Sequence, residues 1–366
     1  MRGIQGLHTR VCDTRAPMVN ELELRSETVF EVGQHLILGC SPLAGIYTSV
    51  PEEQAFETVK TALELGFVDF DTAPHYGLGL SESRLGHAVA THADDRPVRL
   101  WSKVGRVLKP SNDVAADEAS RVERGNIPGH IDCIFPDSPT GISPVLDYTG
   151  QGVRRSVEDS LRRMNVTALH GLRVHDAEDE FRFTEAMAPG GGIDALVELR
   201  ERGEIRSVSL GMNDAKFVTR MIKGKPEGTF DSIMSAGAWN LIDQDGLNLL
   251  LDCQRLGIKV HNAGIFASGL LVGGNHYKYA TAPPEIIERR ERWLALSEKH
   301  GMPLPAVAIA FALLPTVVEK AAIGVKSPDE VRMNVEWLQA ASRVPSELWV
   351  EAKSMGLLPE NIPVPK

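Results

Sequence analysis

From residue 36 onward, short apolar runs rich in β-branched or aromatic residues alternate with longer amphipathic stretches, and this alternation is the strongest constraint on the fold. Runs at 36–40, 67–71, 98–102, 169–174, 205–210, 230–235, 258–261 and 321–325 read as strands. Stretches at 51–65, 81–93, 152–164, 193–202, 214–223, 244–256, 284–300 and 328–341 read as helices. Pro51, Glu52 and Glu53 suit the first turn of the first helix, and Gly66 follows its end. Strict alternation implies a parallel sheet, and eight strands is the number at which such a sheet closes. The expected fold is α/β, a single (β/α)8 TIM barrel.

Two spacings break the regular step, from Lys103 to about residue 151 and from Asn262 to Pro283, after strands three and seven. Both fall on the C-terminal rim, where long segments serve as lids or binding loops. The first is punctuated by Pro110, Pro128, Pro136, Pro139 and Pro144. Residues 346–358 read as an extra amphipathic helix. The domain layout expected is a poorly ordered leader at 1–28, the barrel at 29–358 and a poorly ordered tail at 359–366.

With 43% hydrophobic and 24% charged residues in 366, the chain can bury a large core, and a net charge of −10 disfavours nucleic acid. The longest apolar run, 306–314, is about half of what a membrane-spanning helix needs. Cys12, Cys40, Cys133 and Cys253 form no Cys-x-x-Cys pair, so neither a metal site nor a disulfide scaffold is expected. A cytoplasmic protein with a small-molecule substrate, either monomer or homo-oligomer, is the expectation.

The strand ends carry the candidate chemistry. Strand two ends at Asp71 with Tyr76 five residues on, strand three delivers Lys103, and strand four delivers His175. A phenol with a pKa near 10 is a poor acid or base at neutral pH unless a cation stabilises the phenolate. Lys103 can supply the cation, Asp71 can keep a buried Lys103 charged, and His175 can orient a substrate oxygen. His75, Tyr47, Trp101, Asp147 and Tyr148 are candidates to line a substrate pocket.

The run Gly66-Phe67-Val68-Asp69-Phe70-Asp71-Thr72-Ala73-Pro74-His75-Tyr76-Gly77 resembles the signature of the aldo-keto reductases. So do Trp101-Ser102-Lys103, Val174-His175-Asp176 and Ala322-Ile323-Gly324-Val325-Lys326-Ser327-Pro328. Within that family, Asp147-Tyr148-Thr149, Ser268 to Gly274 and Tyr279 to Pro284 resemble the D-threo-aldose 1-dehydrogenases, L-fucose dehydrogenases and pyridoxal 4-dehydrogenases. The resemblance implies a catalytic tetrad of Asp71, Tyr76, Lys103 and His175 and a nicotinamide cofactor across the barrel mouth. It implies oxidation of a sugar C1 hydroxyl to a lactone; reduction of small aldehydes or ketones and a nicotinamide-binding regulatory subunit are the alternatives.

The stretch Gly77-Leu78-Gly79-Leu80-Ser81-Glu82 imitates a dinucleotide fingerprint, but Glu82 takes the place of the third glycine. Barrel phosphate sites instead lie between the loops after strands seven and eight. The family likeness puts cofactor contacts at Asn213, Ser268, Gly269, Leu271, Gly324, Lys326, Ser327, Glu330 and Asn334. Lys326 favours NADP, whereas Asp329 and Glu330 add negative charge that suits NAD; NADP is the expected choice. Met212, Ala236 and the segment 262–264 depart from the family pattern, leaving Trp239 or Phe266 to cover the nicotinamide.

Overall fold

A computed structural model describes residues 21–26, 29–278 and 280–365. Eight parallel strands close into a barrel: β1 (Leu36–Gly39), β2 (Asp69–Asp71), β3 (Arg99–Val104), β4 (Gly171–His175), β5 (Ser207–Met212), β6 (Ser232–Ala236), β7 (Lys259–Ala263) and β8 (Val318–Gly324). Leu36 pairs with Ala321, which joins β8 to β1 and removes both sheet edges. The expected strands are all present, displaced by a few residues at their ends. One displacement matters, because β3 runs on to Val104 and Lys103 is therefore part of the strand rather than of the loop after it.

Besides a single helical turn at Val32–His35, the helices are α1 (Glu52–Glu64), α2 (Leu80–His92), α3 (Gly150–Met164), α4 (Glu180–Met187), α5 (Gly192–Glu201), α6 (Ala215–Gly224), α7 (Leu247–Leu256), α8 (Pro284–Lys299), α9 (Leu304–Leu313), α10 (Pro328–Ala341) and α11 (Ser346–Ser354). Pro51 sits at the N-cap of α1, one place earlier than expected. The helix that packs on the barrel between β7 and β8 is α9 and not the expected 284–300. The physical reason is periodicity. α9 is apolar on all sides and buried everywhere but Pro305, so no amphipathic stripe betrays it. α8 is half exposed and lies outside, anchored by buried Trp293, whose indole N–H donates to the Leu241 carbonyl at 3.0 Å.

The long segment after β3 has structure of its own. Arg106–Pro110 pairs antiparallel with Ile142–Leu146, and three short 3-10 turns lie between them. After β7, the chain makes a turn at Leu270–Val272 and a two-residue ladder of His276–Tyr277 with Ala280–Thr281. Residues 1–20 and 27–28 of the expected leader lie outside the described residues. Residues 21–26 pack beneath the barrel, where Leu22 is buried, Leu24 bridges to Pro315, and the Arg25 guanidinium donates to the Leu313 and Val318 carbonyls. The expected loose tail holds Ile362, which is buried. Cys12 is likewise outside the described residues; Cys40, Cys133 and Cys253 are free thiols. Among the described residues, no helix is long and apolar enough to cross a membrane, and no cluster of ligating side chains suits a metal ion.

Candidate active site

The C-terminal rim opens into a cavity of about 1090 Å³ lined by Asp71, Tyr76, Lys103 and His175. Side chains alternate across a strand, so Asp69 and Asp71, Trp101 and Lys103, and Arg173 and His175 each share the face turned into the barrel. The upper member of each pair reaches the cavity, and the lower forms the layer beneath it.

The Lys103 ammonium donates to Asp71 Oδ1 and, at 2.9 Å, to the Thr72 carbonyl. It lies 4.5 Å from the centre of the Tyr76 ring. Burial works against the Lys103 cation, but Asp71 and the Tyr76 oxygen outweigh it and raise its pKa. Burial likewise opposes ionisation of Asp71, and Lys103 together with Arg173 holds its pKa below the ordinary value. Tyr76 is half-buried, and desolvation raises its pKa above the ordinary value, with Lys103 pulling it down and Asp71 pushing it up. His175 faces Tyr76 edge to face, with ring centres 5.8 Å apart and planes at 90°.

Beneath the tetrad runs a second layer that the sequence reading missed. Arg173 is fully buried on β4, where its Nε donates to Asp71 Oδ2 at 2.7 Å, Nη1 to Ser209 Oγ at 2.7 Å and Nη2 to His261 Nδ1 at 2.8 Å. His261 in turn meets Glu319 at 3.2 Å. Asp71 is thus shared by two cations, and the cluster of Lys103, Arg173 and Asp71 carries one net positive charge beside the phenol. The signal was available in strand parity, since Arg173 stands two residues before His175.

The same parity corrects Trp101. It lies one layer below Lys103, its indole N–H donating to Asp69 Oδ1 at 3.0 Å and its ring beneath the Arg173 guanidinium. Gly171 makes the space, because a β-carbon there would come within 2.3 Å of the indole. Tyr148 is also buried away from the cavity: its hydroxyl donates to the His175 carbonyl, and its ring lies against Gly105, whose positive φ and missing side chain permit the approach. Asp147 accepts from the Thr149 backbone and hydroxyl at the start of α3, and Tyr47 is exposed and stacked on His276. Of the five expected pocket residues, the structure brings only His75 to the cavity, with Phe135, Ile134 and Ile46 as apolar neighbours.

On the far side, Asn213, Ser268 and Gly324 line the cavity, with Met212, Met234 and Ala236 beside them. Gly269 edges the loop after β7, while Leu271 is buried in the core and does not line this cavity. Lys326, Ser327, Glu330 and Asn334 lie at the start of α10 beyond Gly324. The Ser327 hydroxyl caps that helix by accepting from the Glu330 N–H at 3.2 Å, and a Glu330 carboxylate oxygen accepts from the Lys326 N–H at 2.8 Å. Asn334 is buried with its amide oxygen unpartnered, an arrangement that costs stability unless something supplies a donor. Trp239 stacks on Phe311 and Phe266 packs on Trp337, so neither covers the cavity as expected.

The profile of the aldo/keto reductase family matches residues 35–347, the whole barrel with its insertions. The chain belongs to the aldo/keto reductase family. As a member it is an oxidoreductase. A pyridoxal 4-dehydrogenase of Microbacterium luteolum is 32% identical over 335 residues, covering 88% of this chain and 93% of that protein. A D-threo-aldose 1-dehydrogenase of a Pseudomonas species is 30% identical, again covering 88% and 93%. Among solved structures, an aldo-keto reductase of Bacillus halodurans in its holo form superposes with a TM-score of 0.64 at 22% identity, covering 92% of this chain and 96% of that one. A glycerol dehydrogenase of Gluconobacter oxydans gives 0.62 at 20%, over 90% and 93%. These two likenesses concern the barrel alone.

Proposed function

We propose that this aldo-keto reductase oxidises the C1 hydroxyl of a cyclic aldose to the lactone with a nicotinamide cofactor, Tyr76 serving as acid and base. The observation that carries the reading is the buried ladder from Asp71 through Lys103 to Tyr76, facing His175 across one cavity. Its net positive charge stabilises a phenolate at the moment a hydroxyl proton arrives, which is the demand of the oxidative direction. The relatives named for aldose and pyridoxal oxidation agree in covering nearly the full chain.

A nicotinamide cofactor fits the residues present. The cavity exceeds the usual range of about 300–1,000 Å³ for a single small ligand. Its floor is formed by Gly39, Gly211, Ala236, Ala263, Ala322 and Gly324, where the absence of long side chains admits a flat ring close to the backbone. When bound, the cofactor supplies the acceptor or donor of hydride. Asn213, Ser268, Gly269 and Gly324 would hold its nicotinamide and phosphate portions, and Lys326, Ser327, Glu330 and Asn334 its adenosine portion. Leu271 would act only by shaping the loop. Lys326 favours the 2′-phosphate of NADP; the Glu330 carboxylate on the Lys326 N–H favours the ribose hydroxyls of NAD.

The substrate then lies against His75, Phe135, Ile134 and Ile46, in a place where Tyr76 exchanges the proton and His175 orients the oxygen. The apolar and aromatic character of this wall also favours a second reading, an aromatic aldehyde such as pyridoxal. The test is the ultraviolet absorbance of reduced nicotinamide, followed with NAD and NADP in turn against L-fucose, D-arabinose, L-galactose, L-xylose and pyridoxal. Reduction of cofactor by a sugar supports the first reading, and reduction by pyridoxal alone replaces it with the second. Consumption of NADPH with simple aldehydes and no oxidation of any of the panel refutes both.

A further inference from the structure

Arg106 opens the outer hairpin that follows β3, yet its side chain is buried, with only 4% of its surface exposed. A guanidinium taken out of water needs partners for its donors. Its Nε and Nη2 grip the two Glu123 carboxylate oxygens at 2.7 and 2.9 Å, and Nη2 also donates to Asp176 Oδ2 at 3.1 Å. The bidentate fork on Glu123 fixes the plane of the group. The remaining nitrogen, Nη1, lies 3.1 Å from His175 Nδ1.

That last pairing decides where the imidazole proton sits. A guanidinium has donors only, so His175 Nδ1 accepts, and a neutral imidazole that accepts at Nδ1 carries its proton at Nε2. We propose that Arg106 is a positioning residue that fixes His175 as the neutral Nε2–H tautomer, so that His175 donates a hydrogen bond to the substrate oxygen and Tyr76 alone exchanges a proton with it. The inference rests on the reading of Tyr76 and His175 given above. In the oxidative direction Tyr76 first releases its own proton to solvent, the substrate hydroxyl proton then passes to the phenolate oxygen, and His175 keeps the same proton throughout.

The surroundings of the ring agree. Arg106 and Lys103 face it from the hairpin and β3, His75 and Tyr76 from the loop after β2, and Arg182 from α4. Asp176 follows it in sequence, its carboxylate 3.5 Å from Nε2, and Glu123 stands behind Arg106. Burial first, then Arg106 and Lys103, keep the imidazole neutral well below its ordinary pKa. An imidazolium would set a donor at Nδ1 against the donors of Arg106. The His175 backbone is pinned too, because its carbonyl accepts from the buried Tyr148 hydroxyl. On this view the insertion after β3 does more than form a wall, since Arg106 and Glu123 both belong to it.

The test is nitrogen-detected NMR of protein labelled at histidine, with kinetics of the same samples. The native protein should show His175 as the Nε2–H tautomer across neutral pH, with no imidazolium down to mildly acid pH. Arg106→Met should let the ring titrate and populate the other tautomer, and lower kcat by about 10²-fold, the usual cost of losing one aligned donor. Its pH–rate profile should gain an ionisation near the ordinary histidine value of about 6.5. Arg106→Lys, which keeps a cationic donor, should restore the tautomer in part. A native Nδ1–H tautomer overturns the inference without reference to activity, and does so even if Arg106→Met fails to fold. An unchanged tautomer and pH profile in a folded Arg106→Met overturns it equally. Full turnover in Tyr76→Phe would instead overturn the reading of the site, and the two failures are distinct.

Discussion

At the His175 end of the cavity, Asp71, Lys103, Arg106 and His175 are each held by a charged or polar neighbour from another strand or from the insertion after β3. At the other end, from Gly324 to Asn334, the Ser327 hydroxyl caps a helix, the Glu330 carboxylate sits on the Lys326 N–H, and Lys326 is exposed. The difference teaches that the two ends answer to different physics. The first stores charge out of water, where geometry must be right for the charges to persist. The second offers a capped helix start, where substitution changes affinity more than chemistry.

The comparison is broken most severely at Tyr76. Tyr76→Phe removes one oxygen and should lower kcat by about 10²- to 10⁴-fold, while the dissociation constant for cofactor, followed by quenching of tryptophan fluorescence, stays within a factor of about two. Turnover close to that of the native protein would show that the charged end is scenery. Lys103→Met should be the next largest effect. It leaves Asp71 and Arg173 without their third partner and should lower stability by about 3 kcal/mol or more in chemical denaturation, along with loss of turnover. A stable, folded, inactive Lys103→Met would mean that Arg173 alone suffices to neutralise Asp71.

The pH dependence of stability sharpens the contrast. Burial raises the Glu123 pKa, but Arg106 overcomes it and holds the carboxyl to about 2, and Glu319 is held to about 2 by His261 and Lys259 against the same burial. With unfolded values near 4.3, their contribution is complete above that value and is lost as pH falls toward about 2. Burial and Arg106 push His75 down to about 3, and burial sets His261 at about 4 despite Glu319. The unfolded chain takes up protons at these histidines from about pH 6.5 downward, so they too remove stability on acidification. Thermal midpoints should therefore fall steadily from pH 7 to pH 4. Glu123→Gln should soften the lower part of that curve. A midpoint independent of pH over this range would contradict the burial of these groups.

The smallest effect belongs to the other end. Ser327→Ala removes the cap of α10 and should cost about 1 kcal/mol of stability, with a weaker hold on cofactor and little change in kcat. A large fall in kcat here would erase the distinction between the two ends.

Strand parity explains much of what could be read in advance and what could not. The alternation of runs shows a barrel, and the positions of Asp71, Lys103 and His175 at successive strand ends follow from it, because a parallel barrel must put those ends on one rim. Arg173 obeys the same rule, but a basic residue inside a strand carries no local sign that it is buried and paired. Tyr148 and Asp147 stand on the C-terminal rim but pack into the space left by Gly105 and Gly152. α9 was hidden for the opposite reason, being buried on every side and so without a stripe.

The amino-acid sequence by itself determined the barrel, its rim and the residue types delivered there, since these depend on local periodicity and on the closure of eight strands. Only the tertiary structure decided that Arg106, distant along the chain from His175, folds back onto its ring with Glu123 gripping the guanidinium from behind. The path of a long insertion is set by which buried charges must find partners, and that pairing is made between segments whose separation in sequence carries no period.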